Sequence, residues 1–297
     1  MNQFSIKDIE NLTGIKSHTL RIWEQRYGIP HPKRTATNIR YYDDNDLKLL
    51  LNVSMLNRQG HKISHLTKMD QAELERLALS YSESTSDTTV QVDALMTAMF
   101  NLDEPAFEKV LSSNLLKFGI EHTMTELFFP FMKRIGMLWQ TGGVSPSFEH
   151  FMSNLIRQKL IVAIDSKSGS VKENPKSFIL FLPETEIHEL GLLFANYILK
   201  SRGHRTLYLG QNLPYTDLDS VTPQFKCEYI MTVLTTIPVK GSTQNFVENL
   251  ANRFKNHKIL ITGFQVTAGA VIKPPSNVKL IESFGDFIRF ADSVDVN

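Results

Sequence analysis

Ahead of Gly28 the chain spells out two short amphipathic helices and the turn between them, a spacing that few folds accommodate. Ser5 can cap a helix whose apolar positions Ile6, Ile9 and Leu12 follow the helical period, and Gly14 supplies a left-handed stop. Ser17 can cap a second helix a few residues later, with Leu20 and Trp23 turned inward and Thr19, Arg21 and Arg26 outward. Two short helices on a tight glycine-containing turn, the second bearing basic and hydroxyl groups, form the helix-turn-helix arrangement suited to the major groove of DNA. Pro30 and Pro32 then break the chain, and Lys33 to Tyr42 reads as a two-stranded wing with Asn38 at its turn, where asparagine tolerates a positive φ. Asp43 or Asp44 opens a third helix, carrying Leu47, Leu50, Leu51 and Met55, that Gly60 ends.

Charge is distributed to match. The net charge is +1 over 297 residues, yet residues 1–41 hold Lys7, Lys16, Arg21, Arg26, Lys33, Arg34 and Arg40 against only Asp8, Glu10 and Glu24, leaving the remainder mildly acidic. A basic head on a slightly acidic body is expected where one end of a chain meets phosphate. The candidate DNA contacts are Lys16, His18, Thr19, Arg21, Arg26 and Tyr27 around the second helix, with Arg34, Arg40 and Tyr41 on the wing.

A length of 297 residues suits two or three units, and 42% hydrophobic with 21% charged residues excludes disordered and fibrous classes. No apolar run approaches a membrane span, and Met1 to Ile6 has neither a basic region nor a hydrophobic core for export. A cytoplasmic protein without a membrane partner is expected. The single cysteine, Cys227, excludes an internal disulfide and a multi-cysteine zinc site, which fits a reducing compartment.

Residues 1–75 are thus assigned to the winged helix-turn-helix. From Ser80 to Gln91 the sequence is rich in serine and threonine, and residues 76–91 are expected to be a linker. Residues 92–168 return to helical periodicity, with Leu95, Met96 and Met99, then Phe107, Val110 and Leu111, then Leu127, Phe128, Met132 and Ile135, most simply a four-helix bundle. Residues 177–297 alternate apolar runs at Phe178 to Leu182, Thr206 to Leu209, Tyr229 to Leu234, Ile259 to Thr262 and Val278 to Ile281 with helical segments. They imply a doubly wound α/β domain of flavodoxin-like type with its ligand beyond the carboxyl ends of the strands. His188 lies there, shortly after the first strand. A neutral imidazole is a good metal ligand, and Glu186, two residues earlier, can hold its other N–H.

Three resemblances give these regions a common meaning. Phe4 to Leu66, with Thr19-Leu20-Arg21-Ile22-Trp23-Glu24-Gln25-Arg26-Tyr27-Gly28 and Asn38-Ile39-Arg40-Tyr41-Tyr42, resembles the MerR family of regulators, which implies a dimer on a pseudo-palindromic operator of double-stranded DNA. Trp139 ends a helix, Gly142-Gly143 turns the chain, Ser145-Pro146 starts the next helix, and Glu149-His150 follow. The order resembles the helical cap of the CarH/LitR group of cobalamin-dependent photoreceptor repressors. In that group these residues surround an adenosyl group, so Trp139 would stack on it and Glu149 and His150 would hydrogen-bond nearby. Glu186-Ile187-His188-Glu189-Leu190-Gly191 resembles the cobalamin domain of methionine synthase and its relatives, in which the histidine replaces the cofactor's benzimidazole. His188 would then be the cobalt ligand, and Gly191 would allow close helix approach. Thr232-Val233-Leu234 stands for that family's Ser-x-Leu, and Gly263-Phe264 for its Gly-Gly.

The resemblance implies a repressor that binds adenosylcobalamin, responds to light and assembles as a dimer or a cobalamin-dependent tetramer. Two positions depart from the pattern: Gln140 replaces a histidine and Phe264 replaces a glycine. They carry an alternative in which the sensor domains bind a protein partner or another small ligand. An enzyme is not expected, because no substrate barrel, phosphate loop or Gly-x-Ser-x-Gly elbow is present.

Overall fold

The computed structural model of the chain describes residues 3–85, 87–140, 145–169, 171–238, 241–269 and 271–294, with the side chains of 83–84, 137–140 and 268–269 outside the description. The chain divides into two compact units, Met1–Asn154 and Leu155–Asn297. Among the described residues no helix is long and apolar enough to cross a membrane.

The first unit runs through α1 (Ile6–Thr13), α2 (Ser17–Tyr27), β1 (Lys33–Arg34), β2 (Arg40–Tyr41), α3 (Asp44–Arg58), α4 (Ile63–Leu66), α5 (Gln71–Ser84), α6 (Thr88–Asn101) and α7 (Glu104–His122). A π-helical segment, Thr123–Phe128, α8 (Phe129–Gln140) and the start of α9 (Pro146–Asp165) complete it. Ser5 caps α1 in a reciprocal box with Asp8, and Gly14 turns the chain at φ 73°. Asn38 takes φ 63° at the tip of the wing. Fully buried Phe4 exchanges two backbone hydrogen bonds with Tyr42, at 2.8 and 2.9 Å, closing the N-terminus onto the wing. Asp43 caps α3.

One expected cap differs. Ser17 lies inside α2, and the N-cap position is Lys16, whose side chain makes no cap bond. The reason is Glu10, which reaches across the turn and accepts the Ser17 N–H at 3.1 Å and its hydroxyl at 2.5 Å.

The expected linker at 76–91 is also corrected, since α5 continues to Ser84 and α6 begins at Thr88. Asp70 starts α5 with another reciprocal box, to Glu73, and Leu74, Ala78 and Ser82 form a buried stripe at helical spacing. The serines that suggest a loop donate backward, Ser80 to the Leu77 carbonyl and Ser82 to that of Leu79, which removes their competition with the helix. Helix α6 contacts α3, α5, α7 and α8, and every residue from Val90 to Phe100 is buried. It is the central rod of the unit, which explains why residues 90–100 present no solvent-exposed face.

The second unit contains the rest of α9, then β3 (Ser177–Phe181), α10 (Leu190–Ser201), β4 (Arg205–Gly210), α11 (Leu218–Val221), β5 (Tyr229–Val233), α12 (Thr243–Arg253), β6 (Lys258–Thr262), β7 (Val278–Leu280) and α13 (Phe284–Ser293). The strands form one parallel sheet in the order β4-β3-β5-β6-β7, the doubly wound architecture expected. All five residues of β3 and of β5 are buried, as central strands covered on both faces require. Phe246, Val247 and Leu250 of α12 pack against Ile179, Phe181, Ile230 and Ile259, while α10 contacts β3, β4, β5 and α13. The chain leaves β3 for β4 on one side and comes back to β5 on the other. The crevice at their carboxyl ends is therefore a topological switch point.

Close backbone packing borders this crevice. Gly263 follows β6 at φ 111°, and a Cβ there would stand 2.5 Å from the Leu234 carbonyl oxygen. We predict that Gly263→Ala destabilises the second unit by at least about 1–3 kcal/mol, measured by urea denaturation. Asp70→Ala removes one cap and is expected to lower stability by about 1 kcal/mol in the same assay.

Candidate functional site

Chemistry-bearing side chains gather in both units. In the first unit α2 buries Leu20 and Trp23 and exposes His18, Arg21, Ile22, Gln25 and Arg26 on its opposite face. Thr19 and Tyr27 are half-buried at the margin of that face, and the Arg26 guanidinium lies 5.5 Å from the Tyr27 ring centre. Lys16 is exposed and paired with Glu10 at 3.1 Å. The hydroxyl of Ser17, then Lys16, then the Ser17 N–H hold the Glu10 carboxyl at a pKa of about 2.

The wing is braced from α2. Glu24 accepts the Tyr42 hydroxyl at 2.5 Å, and its other oxygen stands 3.6 Å from Arg40 Nε. Burial, then the Glu24 carboxylate, raise the Tyr42 pKa and keep its proton in place for that bond. Arg34 donates to the Asn38 side chain at 2.9 Å across the wing turn. Arg34 and Arg40 are exposed and Tyr41 is half-buried, so the wing shows its cations on the outside of the unit. Glu24 was not among the sequence-derived candidates. It works through Arg40 and Tyr42, and its signal was an acid one turn after Arg21 in an otherwise basic helix.

The first unit also carries Glu149 and His150, in the first turns of α9. His150 is exposed and its Nδ1 lies 3.3 Å from Glu149 Oε2, while Ser153 donates to the other Glu149 oxygen. The helix starts at Pro146, as expected. The side chains of Trp139 and Gln140, and all of Gly142 and Gly143, lie outside the described residues.

In the second unit, the loop after β3 crosses the switch point and places Glu186 beneath His188. Glu186 is 2% exposed and His188 half-exposed, with Glu186 Oε1 2.6 Å from His188 Nδ1. The second carboxylate oxygen accepts the N–H groups of Thr235 and Thr236, each at 2.8 Å, and the Thr236 hydroxyl at 3.0 Å. Burial opposes ionisation more than any other single influence. The hydrogen bonds from the His188 ring, the Thr236 and His188 N–H groups and the Thr235 N–H together outweigh it, and the pKa falls to about 2. Glu186 is therefore a fixed anion that orients the imidazole through Nδ1, as the carboxylate partner of a metal-ligating histidine does.

The remaining candidates surround this dyad. A Cβ on Gly191 would stand 3.2 Å from the Phe284 ring of α13, a tight approach, and 3.5 Å from Val233 of β5, an ordinary contact, so the glycine lets the start of α10 pack closely on α13. Leu234 is fully buried. Thr232 is also fully buried, and its hydroxyl has no hydrogen-bond partner among the described residues. Gly263 abuts Leu234, whereas the Phe264 ring is half-exposed and does not fill the core. An oriented imidazole at the mouth of a switch-point crevice, with an unspent hydroxyl behind it, fits a bound group that brings both a metal and polar atoms.

Sequence reasoning missed Thr235 and Thr236, whose signal was their place just after the third strand, on the other side of the switch point. It also missed the surroundings of Glu189. That residue is buried beside His188, pairs with Arg157 of α9, and accepts the Tyr208 hydroxyl at 3.1 Å. Burial, then Glu189, raise the Tyr208 pKa.

With these sites in place, likeness to known proteins has a structural footing. Residues 4–73 match the MerR HTH family regulatory protein, and residues 91–163 match the B12 binding domain. The chain is 25% identical over 233 residues to the HTH-type transcriptional repressor CarH of Myxococcus xanthus, covering 76% of this chain and 77% of that one. It is 26% identical over 234 residues to the repressor CarA of the same organism, covering 76% and 74%. The solved monomethylamine corrinoid protein of Methanosarcina barkeri shares the fold, with a TM-score of 0.51 at 16% identity over 66% of this chain and 94% of that one. A MerR helix-turn-helix segment and a B12-binding segment thus stand in one chain, which is homologous to the CarH and CarA transcriptional repressors.

Proposed function

We propose that this protein is a DNA-binding transcriptional repressor whose second half senses cobalamin. The observation that carries the sensing function is the His188–Glu186 dyad, held at a switch point by Thr235 and Thr236, in the chain that also presents an exposed basic α2. His188 would hold the cobalt. Thr232, Leu234 and Gly263 would line the nucleotide tail, and Gly191 would keep α10 close to the crevice.

Adenosylcobalamin is the form we favour, because Trp139, Glu149 and His150 stand in the order that surrounds an adenosyl group. When bound, it supplies a cobalt–carbon bond that light can break. The protein's own part is thermodynamic. Residues that grip the cofactor more tightly in the DNA-competent assembly than in the other state shift the population toward it by that difference in affinity. A dimer, or a tetramer that forms with cofactor, would set two or more α2 helices on an operator in the cytoplasm. Gln140, in place of a histidine, favours a sensor whose light-exposed state is not held by a second imidazole at that position.

Purified protein mixed with adenosylcobalamin in the dark is expected to show a histidine-ligated corrinoid spectrum that His188→Ala loses. Absence of any retained corrinoid in the parent protein overturns the sensing function. Green light is expected to change the oligomeric size of the loaded protein on a sizing column, and no change leaves a ligand sensor without photochemistry. For DNA, Arg21→Ala is expected to weaken binding to a duplex selected from a random pool by roughly 1–3 kcal/mol if the arginine reads a base. Unchanged affinity would refute α2 as the groove-facing element.

A further inference from the structure

Asp93 is a carboxylate in the middle of the most enclosed helix of the first unit, with 2% of its surface exposed. One oxygen accepts Arg134 Nη1 of α8, and the other accepts Nη2 of Arg58, the last residue of α3. One turn along α6, Thr97 donates to Asn52 Oδ1 of α3 at 3.2 Å. Helix α3 is therefore tied to α6 by polar groups at two successive levels.

Arg58 also leads to the DNA-reading elements. A Cβ on Gly14, in the turn between α1 and α2, would stand 3.8 Å from Arg58 Nη1. Ser54 of α3 donates to the Thr13 carbonyl at 2.7 Å, so α3 and that turn are joined. On the other side, α8 runs from Arg134 to Trp139 as one helix, about 7.5 Å along its axis.

A buried carboxylate between two guanidiniums contributes little net stability, since well-packed apolar groups of similar volume serve as well. What it supplies is direction, because both ends of each hydrogen bond must meet at set angles. We propose that Asp93 is a positioning residue for DNA binding: through Arg58 and Arg134, it fixes the angle at which the helix-turn-helix stands on the helical bundle. That angle sets where α2 lies relative to the rest of the protomer, and so how well two protomers match the spacing of an operator. This consequence rests on the DNA-binding function proposed above, whereas the angle itself does not.

The test uses the full chain with Cys227→Ser and spin labels on cysteines introduced by Gln25→Cys in α2 and Leu116→Cys in α7, both exposed positions. The distance distribution between the labels is measured without DNA. Two variants are compared with this parent: Asp93→Asn, and the combination Arg58→Met, Asp93→Leu and Arg134→Met, which keeps the seam packed while removing its charges. A single narrow distribution is expected in the parent, and a broadened or displaced one in the combined variant, which still unfolds cooperatively.

Operator affinity of the combined variant, without the labels, is expected to fall by about tenfold as the lost pre-organisation is charged to binding. A folded combined variant with the parent's distribution overturns the proposal. So does a combined variant that cannot fold, because Asp93 would then hold the fold together and not set an angle. Asp93→Asn, where it folds, is expected to move the distribution the same way, and an unchanged one counts against the proposal. Failure of the sensing function shows separately, as parent affinity for DNA that added adenosylcobalamin does not alter.

Discussion

A carboxylate cut off from water has to be surrounded by donors, and Glu186 obtains them from both sides of a crevice. The loop after β3 contributes the carboxylate, the His188 ring and the His188 N–H, while the loop after β5 contributes two backbone N–H groups and a hydroxyl. These loops are neighbours only because the chain reverses direction across the sheet between them. One buried charge thus converts a topological accident of doubly wound folds into a fixed mouth for the crevice. The imidazole is oriented before any ligand arrives, so little ordering is left to be done on binding.

The first unit solves a different problem with the same means. Its reading helix is short, and short helices are marginal by themselves. Here carboxylates act as struts. Glu10 ties α1 to the start of α2, and Glu24 ties the end of α2 to the wing. Both acids lie inside a basic head, where their negative charge is spent on internal partners and the outward surface keeps its cations.

Much of this was legible from residue order. Runs such as Phe178 to Leu182 and Tyr229 to Leu234 are apolar at every position because central parallel strands are covered twice, and they fell where the strands are. Glycines and asparagines at Gly14 and Asn38 mark positive φ directly. The Glu186–His188 pairing was legible because two residues of spacing bring the groups together locally. What could not be read were partnerships made at a distance. Ser17 resembled a cap until a glutamate from the preceding helix claimed its hydroxyl. The serines of α5 resembled a linker because composition does not reveal that a hydroxyl can bond its own helix. Thr235, Thr236 and Glu189 acquire their roles only once the sheet order is known.

The enclosure of α6 limits how this protein can move. A helix packed on every side has no smooth face on which to slip, since rotation about its own axis would drive Leu95, Met96 and Met99 into neighbours that already fill the space. Motion in the bundle is then confined to the outer helices sliding or tilting as solid pieces against a stationary spine. Evolution of new ligand preferences in this architecture should accordingly be written on the periphery, while the spine changes only in concert with everything around it.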